Sequence, residues 1–510
     1  MKSPAGGVNR SRRALLRASV ASALAGPFVA TRSKGIESQA DTLVVGAGTA
    51  GLMAALHAAR AGLRVQVLEK TTQTGGTLWF SGGQMSGANT ARARQEGIVD
   101  TPEAHLADVM RLGERQADRL LVGLAVRNAA ATIDWFDHKR VQWRDGHPVV
   151  ATGHEPYSAR RVFAPVNAGR ALLAVIHEEL ATWSGSIDIK TGTEAVELIT
   201  DRGGNIRGVV GMDAGGRRKE FRAKRVLLTS GGANGNDEVF RQFNPVPQFR
   251  KPWWPSNTGR GHAMAIAVGA YARGQESYLP DIGSVPATRS WPAPSIASAV
   301  HHPQRRPPWE IYVGASGQRF MREDNPSIDA REKAVAALPL HRYWSIFDTR
   351  ILETAPPFLL AASRPLTPDA VRKLARQIDT VQAADSLPGL AKMCSIPVPM
   401  LLSTISQYNR AVNAKYDVLG RVHLPLPIDK PPFYAVLHQG ASLLSFGGIA
   451  VDGELRVVRR DGSAIPGLYA GGEILGAGAL MGRGYSSGMM VTPALTFGRL
   501  LGSRATAVGS

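Results

Sequence analysis

Apolar and polar positions follow two regimes along the chain. Over residues 41–272 strand and helix signals alternate. An apolar strand at Leu43–Val45 is followed by a helix of small and apolar residues and a second strand at Val65–Leu68. Helical periodicity then runs through 103–137, a further helix is predicted at 169–183, and strands are predicted near 187–191, 206–211 and 225–229. This is an α/β layout. From about 273 to 437 the rhythm breaks into Pro- and aromatic-rich segments. After 438 Gly-rich turns return, ending in "SSGMMVTPALTFGRLLG", a turn that leads into a helix with Pro493 in its first turn. The pattern predicts four parts: 1–40, a first unit at 41–272, an inserted unit at 273–437, and 438–510 completing the first unit. No apolar run of about twenty residues occurs beyond residue 40, which argues against a spanning helix.

Composition narrows the class. With 510 residues and 44% apolar positions the chain suits two or three packed domains. Its Gly and Pro show no period, which sets aside collagen-like and disordered classes. The single cysteine, Cys394, excludes an internal disulfide framework, an all-Cys iron–sulfur cluster, a Cys-rich zinc site and c-type haem attachment. Redox chemistry therefore needs a bound organic cofactor or a partner. In "AKMCSIPVP", Cys394 reads as a buried structural thiol.

The net charge of +19 is partly N-terminal, since seven of the 60 Lys and Arg fall in residues 1–40 against Glu37 alone. The remaining excess is scattered, without the aromatic interleaving of a nucleic-acid binder, and leans toward an anionic partner or surface. Arg12-Arg13 ahead of "ALLRASVASALAGPFVA" resembles a twin-arginine export signal, with Ala23-Leu24-Ala25 as a candidate cleavage site; a basic amphipathic helix is the alternative. The expected location is periplasmic or exported, or cytoplasmic on the alternative. The twin-arginine route, by its resemblance, carries folded proteins with their cofactors in place.

The strongest local signal is "DTLVVGAGTAGLMAALHAARAGLRVQVLEK" at 41–70. Gly46 permits a tight turn, Gly48 lets backbone amides approach a pyrophosphate, and Gly51 allows close helix–strand packing. Thr49 and Ala50 open the helix, whose amides and positive partial charge face the phosphates. Glu69 ends the second strand where a carboxylate accepts ribose hydroxyls, with Lys70 next to it.

Four further segments, "TGGTLWFSGG" (74–83), "LLTSGGANGN" (227–236), "NTGRGHAMAIAVGA" (257–270) and "GLYAGGEILG" (467–476), resemble in this order the flavin-binding segments of the fumarate reductase, succinate dehydrogenase and 3-ketosteroid dehydrogenase superfamily. The resemblance covers roughly 41–505. It implies a Rossmann-like, glutathione-reductase-like FAD-binding domain with an inserted α+β substrate-capping domain, and FAD as cofactor. Gly75, Gly76, Thr77, Ser81, Gly82 and Gly83 are expected at the isoalloxazine edge, and Glu473 after Gly472 at a ribityl hydroxyl. Ala195, Ser230, Gly231, Gly232, Asn236, Gly259 and Gly261 join this set. Gly488 and Met489 lie at the N-terminus of the last helix, which in the family faces the flavin pyrimidine. Covalently flavinylated members carry a His just ahead of the segment matching "SGG". Gly76 stands there and no His lies within 74–85, so the FAD is expected to be non-covalent.

For catalysis, "IYVGASGQRFMRED" (311–324) resembles the family's strand–turn–strand, giving Arg319 and Glu323 a structural role. "DAREKAVAAL" (329–338) resembles the helix on which fumarate reductases carry a proton-delivering arginine, with Arg331 as counterpart; "DNPSI" adds about four residues ahead of it. One charge at a helix start is the alternative. The family's substrate-binding His would fall near Leu444, the nearest His is His438, and Arg483 is the closest match to the later arginine. A dicarboxylate needs several cations, so fumarate is disfavoured. The 3-ketosteroid dehydrogenases place a Tyr beside the last helix, and Tyr485 stands one residue short of that spacing. Trp291, Trp309, Tyr312, Tyr343 and Trp344 suit an apolar cyclic substrate, or else the core. His301-His302 reads as a turn or substrate contact, with no metal expected. The expectation is an FAD-dependent oxidoreductase acting on a CH–CH bond beside a carbonyl, dehydrogenating a cyclic ketone or steroid-like compound with an unidentified electron partner. An ene-reductase of an unsaturated carboxylate and a non-catalytic FAD electron carrier are the alternatives.

Overall fold

The computed structural model describes residues 40–244, 256–300 and 302–504. The Arg12-Arg13 signal and His301 lie outside them. Strand β1 (Ala40–Val45) is buried at every position but Asp41, as a central parallel strand covered on both faces must be. It leads through the Gly-rich turn into helix α1 (Thr49–Arg60) and strand β2 (Val65–Leu68). The sheet continues with β3 (Ile187–Lys190), β4 (Thr193–Thr200), β5 (Ile206–Asp213) and β6 (Arg218–Leu228). Val44 of β1 pairs in parallel with Val67 of β2 and with Leu227 of β6. β2 pairs with β3, and β6 with the strand Ala464–Ala470, so the chain's last part closes the sheet begun at residue 40. The fold is α/β, with a Rossmann-like nucleotide sheet.

Two differences from the sequence reading have local causes. The strand expected near 225–229 begins at Arg218, because its exposed first half pairs antiparallel with β5 before its buried half joins β1. The continuous periodicity of 103–137 divides into helices Pro102–Leu112 and Arg119–His138. Between them Glu114 and Arg115 take left-handed backbone (φ 53° and 59°), and Asp118 caps the second helix by accepting from the amides of Leu120 and Leu121.

The second sheet contains β7 (Asp281–Pro286), β8 (Ser295–Ala299) and β9 (Ile311–Val313), followed by helix α2 (Ile328–Ala336). It further contains β10 (Arg342–Asp348), β11 (Leu359–Ala361), β12 (Val381–Ala384) and β13 (Phe433–Ala441), with the short strand Arg364–Pro365 at the edge on β11. Pairing runs β9–β10–β13–β7–β8–β11, all antiparallel, with β12 on the first half of β13. β13 is buried along its whole length and ends at Ala441, from which Ser442–Leu444 run into the nucleotide cavity. The central strand of the second sheet thus delivers side chains to the first. Cys394 is buried in the second sheet's apolar core, and burial pushes its thiol up to about 12. Among the described residues no helix is long and apolar enough to cross a membrane.

Candidate flavin-binding and catalytic site

The turn after β1 is built by steric necessity. Gly46 has φ +98°, and a Cβ there would lie 2.8 Å from the carbonyl oxygen of Thr229. A Cβ at Gly51 would lie 2.0 Å from the Gly46 carbonyl oxygen, so α1 reaches β1 only without a side chain. The Thr229 hydroxyl donates to the carbonyls of Val45 and Gly46 and holds the turn from β6. A Cβ at Gly48 would meet nothing within 4 Å, because that face opens into a cavity of about 640 Å3. Glu69 Oε2 accepts from the Ala47 amide at 2.9 Å, and Oε1 accepts from the amide and hydroxyl of Thr71 at 2.8 Å.

Many of the expected cofactor residues line this cavity. Gly46, Gly48, Thr49, Ala50, Glu69, Lys70, Gly76, Thr77, Ser81, Gly82, Ala195, Ser230, Gly231, Gly261, Gly472 and Glu473 do so. The others stand behind its wall. Gly75, Gly83, Gly259 and Gly488 supply positive φ at turns, and Gly51 supplies close packing. A Cβ at Gly232 would lie 2.6 Å from Glu473 Oε1. Asn236 caps the helix Asp237–Phe243 through the amides of Glu238 and Val239, and Met489 is core. His154, Ser442 and Leu443 carry no signal in the sequence, Asn234, Asn257 and Thr258 fall inside the flavin-binding segments without being singled out, and Leu444 stands where the family's His would fall; all are on the cavity wall. Most stand in irregular segments, where no periodicity marks a side chain as facing a ligand.

The wall's polar groups fit a dinucleotide. Burial raises the Glu473 carboxyl, partly offset by the Asn257 amide donating at 3.1 Å and by the backbone amides of Ser445 and Gly232. Burial lowers the Lys70 ammonium, which donates to Thr258 Oγ1 at 2.8 Å. Ser230 Oγ is buried with no hydrogen-bond partner on a wall of the cavity, an open valence that a ligand hydroxyl or phosphate satisfies. Helix α3 (Val491–Ser503) has no side-chain cap at its N-terminus, and Met490, Val491 and Ala494 of its first turn line the cavity. The Thr492 amide already donates to the Gly488 carbonyl at 2.9 Å and Pro493 has none, so it is the helix's positive end that suits an anionic ring.

The family model described as FAD binding domain matches residues 41–488. The chain belongs to this FAD-binding family. It is an FAD-dependent oxidoreductase. Among curated proteins it is similar to a fumarate reductase (cytochrome) of Shewanella frigidimarina, 27% identical, covering 91% of this chain and 76% of that protein. It is also similar to a 4-oxocyclohexanecarboxylate 2-dehydrogenase of Sinomonas cyclohexanicum, 25% identical, covering 91% and 93%. The solved 3-ketosteroid Δ1-dehydrogenase of Sterolibacterium denitrificans shares the fold with a TM-score of 0.70 at 20% identity, covering 92% of this chain and all of that one.

The catalytic candidates of the flavoprotein converge on α2 and the loop before α3. Ser327 caps α2 by accepting from the Ala330 amide, which turns Asp329, Arg331 and Glu332 inward. Arg331 is 1% exposed, and burial lowers its guanidinium from the ordinary value, against the fields of Tyr312, Tyr343 and Glu332. Arg319 is instead a structural tie: it pairs in two-pronged fashion with Glu323 (2.7 and 2.6 Å) and reaches Asp417 at 2.6 Å. Arg322 is half-exposed on Asp324 at 2.7 Å. Tyr485 is buried and donates its hydroxyl to the Leu279 carbonyl at 2.9 Å. His154 stacks on its ring at 5.1 Å and itself lines the cavity. Neither Arg331 nor Tyr485 lines the cavity; Tyr485 approaches it through His154.

Proposed function

We propose that this oxidoreductase dehydrogenates a CH–CH bond beside the carbonyl of an apolar cyclic ketone, with residues 273–437 acting as the cap over the substrate. The reading rests on the cavity wall around the Gly76–Gly82 segment. Leu78, Phe80, Leu443 and Leu444 line the cavity with Ser442 and His154, and its Lys and Arg side chains are already engaged, Lys70 on Thr258 at 2.8 Å and Arg260 at 3.5 Å from Glu194. A dicarboxylate leaves two charges unmet in such surroundings, and an apolar ring with one carbonyl does not.

FAD, held without a covalent link, would lie with its pyrophosphate on Gly48 and α1, a ribose on Glu69, its ribityl chain by Glu473, and its flavin between Gly82 and the end of α3. When bound it supplies a hydride acceptor at N5. The chain's own part is to orient the substrate, exclude water and move one proton.

The test is anaerobic mixing of the FAD-loaded protein with cyclohexanone-type ketones, 3-ketosteroids and saturated dicarboxylates, followed by reoxidation of the dithionite-reduced protein with fumarate. Bleaching by a ketone is the expected outcome. Reoxidation by fumarate with no bleaching by any ketone would favour the second reading, an ene-reductase of an unsaturated carboxylate. Arg483 lends that reading support, since its guanidinium has no ion-pair partner among the described residues. Export by the twin-arginine route belongs to the proposal as well. Replacing Arg12 and Arg13 by Lys should retain in the cytoplasm a protein that otherwise appears in the periplasmic fraction, and a wild type already cytoplasmic rejects it.

A further inference from the structure

Asp329 and Glu332 stand one turn apart on α2, so their side chains share a face. Both are buried, at 3% and 1% exposure, and no oxygen of either carboxyl has a hydrogen-bond partner. Native folds rarely leave a buried carboxyl in that state, and an ionised one without donors is costly. Burial pushes Asp329 up to about 7, with Lys333 opposing and Glu155 and Glu114 adding to the rise. Glu332 is driven well above the carboxylate range by burial, then by Asp281 on β7 and by Asp329, against Arg331 and Lys333.

The pair spans a seam between the two sheets' units. Asp329 Oδ2 lies 3.2 Å from where a Cβ at Gly484 would stand, in the loop that carries Tyr485 and packs on the Leu112 carbonyl. On the outer side Lys333 Nζ pairs with Glu114 Oε1 at 2.8 Å, with both side chains partly in water. On the inner side Glu332 follows Arg331 directly on α2, and its charge raises both Tyr485 and Arg331. Solvent, Asp329, Glu332 and the catalytic pair therefore follow one another across the seam.

We propose that Glu332 stores the proton exchanged with the substrate carbon and that Asp329 connects it to solvent at the Lys333–Glu114 seam. This rests on the CH–CH reading above. In the oxidative direction the C–H bond next to the carbonyl breaks and its electron pair becomes the new C=C bond. Bound FAD would supply the acceptor for the hydride on the neighbouring carbon. The proton passes by way of Arg331 or Tyr485 to the Glu332 carboxyl, which hands its own proton to ionised Asp329, and Asp329 releases it to water. Glu332 and Asp329 touch neither substrate nor flavin; they act through the residue that does.

The experiment uses the FAD-loaded full-length protein and infrared spectroscopy in H2O and D2O. At pH 8, where Asp329 is mostly ionised, the wild-type minus Glu332→Gln difference spectrum should contain a protonated-carboxyl band that belongs to Glu332 and is retained in Asp329→Asn. On transfer to D2O the band should shift promptly in the wild type and at least tenfold more slowly in Asp329→Asn. FAD content and absorbance spectrum check that both isosteric variants are folded, and Glu332→Asp, which keeps a carboxyl, should restore the band if Gln perturbs the fold. A buried acid with a purely structural role exchanges at the same rate with or without Asp329. Equal rates, or no band belonging to Glu332, overturn the proposal. With a bleaching ketone, flavin reduction should rise through neutral pH as Asp329 ionises, and Asp329→Asn should flatten that rise; a profile unchanged by the substitution also overturns it. If no ketone bleaches the flavin yet band and exchange behave as described, the proton store is supported and only the substrate reading falls.

Discussion

Arg331→Ala is expected to keep FAD and fold while turnover of the bleaching ketone falls by about 10²–10⁴-fold, the usual worth of one positioned proton-transfer group. Dehydrogenation asks Arg331 to take up a proton, which a permanently charged arginine cannot do. Here burial lowers its guanidinium, and Glu332 stands next to it to receive the proton. Its two neighbours in the same Arg-rich stretch provide internal controls. Arg322→Ala removes only a partly exposed pair with Asp324 and should change turnover less than twofold, since such pairs contribute at most about 1 kcal/mol. Arg319→Ala leaves buried Glu323 with only Arg421 at 3.5 Å and the Tyr312 amide, takes the cation from Asp417 Oδ2, and should lower stability by about 3 kcal/mol in urea titration with little effect on kcat. Near wild-type turnover in Arg331→Ala would transfer the role to Tyr485, and Tyr485→Phe in the same assay is the deciding measurement.

The second large effect concerns FAD retention and separates two glycines of one motif. Gly51→Ala places a methyl group 2.0 Å from the Gly46 carbonyl, against backbone that cannot yield without opening the turn. Apo stability should fall by about 1–3 kcal/mol or more, and FAD should be lost on purification. Gly48→Ala meets no protein atom within 4 Å, so apo stability should be unchanged while FAD is still lost, because the methyl fills the room the pyrophosphate needs. Glu69→Ala should be milder, weakening FAD by about 1.5–3 kcal/mol through the loss of one charged acceptor. Thermal unfolding of apoprotein and FAD titration by fluorescence read out all three. FAD retained at wild-type affinity in Gly48→Ala would contradict the assignment of that face to the cofactor.

Asp329 also sets a sign for pH. Its folded value, near 7, lies above the 3.8 of the free carboxyl, so the native state binds the proton more tightly. The stability this group contributes is full below about 4 and is lost as pH rises through 7.

What the sequence determined alone is the unit from Leu43 to Glu69. Every requirement of that unit is local: an apolar strand, a turn with no room for side chains, a helix that must touch the strand, and an acid one strand later. Thirty contiguous residues contain all of it. The α/β order and the helix at 169–181 were legible for the same reason, since periodicity records which face of an element is buried. Periodicity does not record which distant element covers that face. Glu473 meeting Asn257, Tyr485 giving its hydroxyl to Leu279, and His154 reaching the cavity from an irregular loop are contacts between segments whose separation carries no pattern. Nor does local sequence tell a solvated charge from a buried one. "DAREKAV" reads equally as a hydrated helix start, and only the packing of α2 against β7 and the Gly484 loop removed water and donors from Asp329 and Glu332 together. That desolvation is a property of three chain segments meeting, so it belongs to the tertiary structure alone.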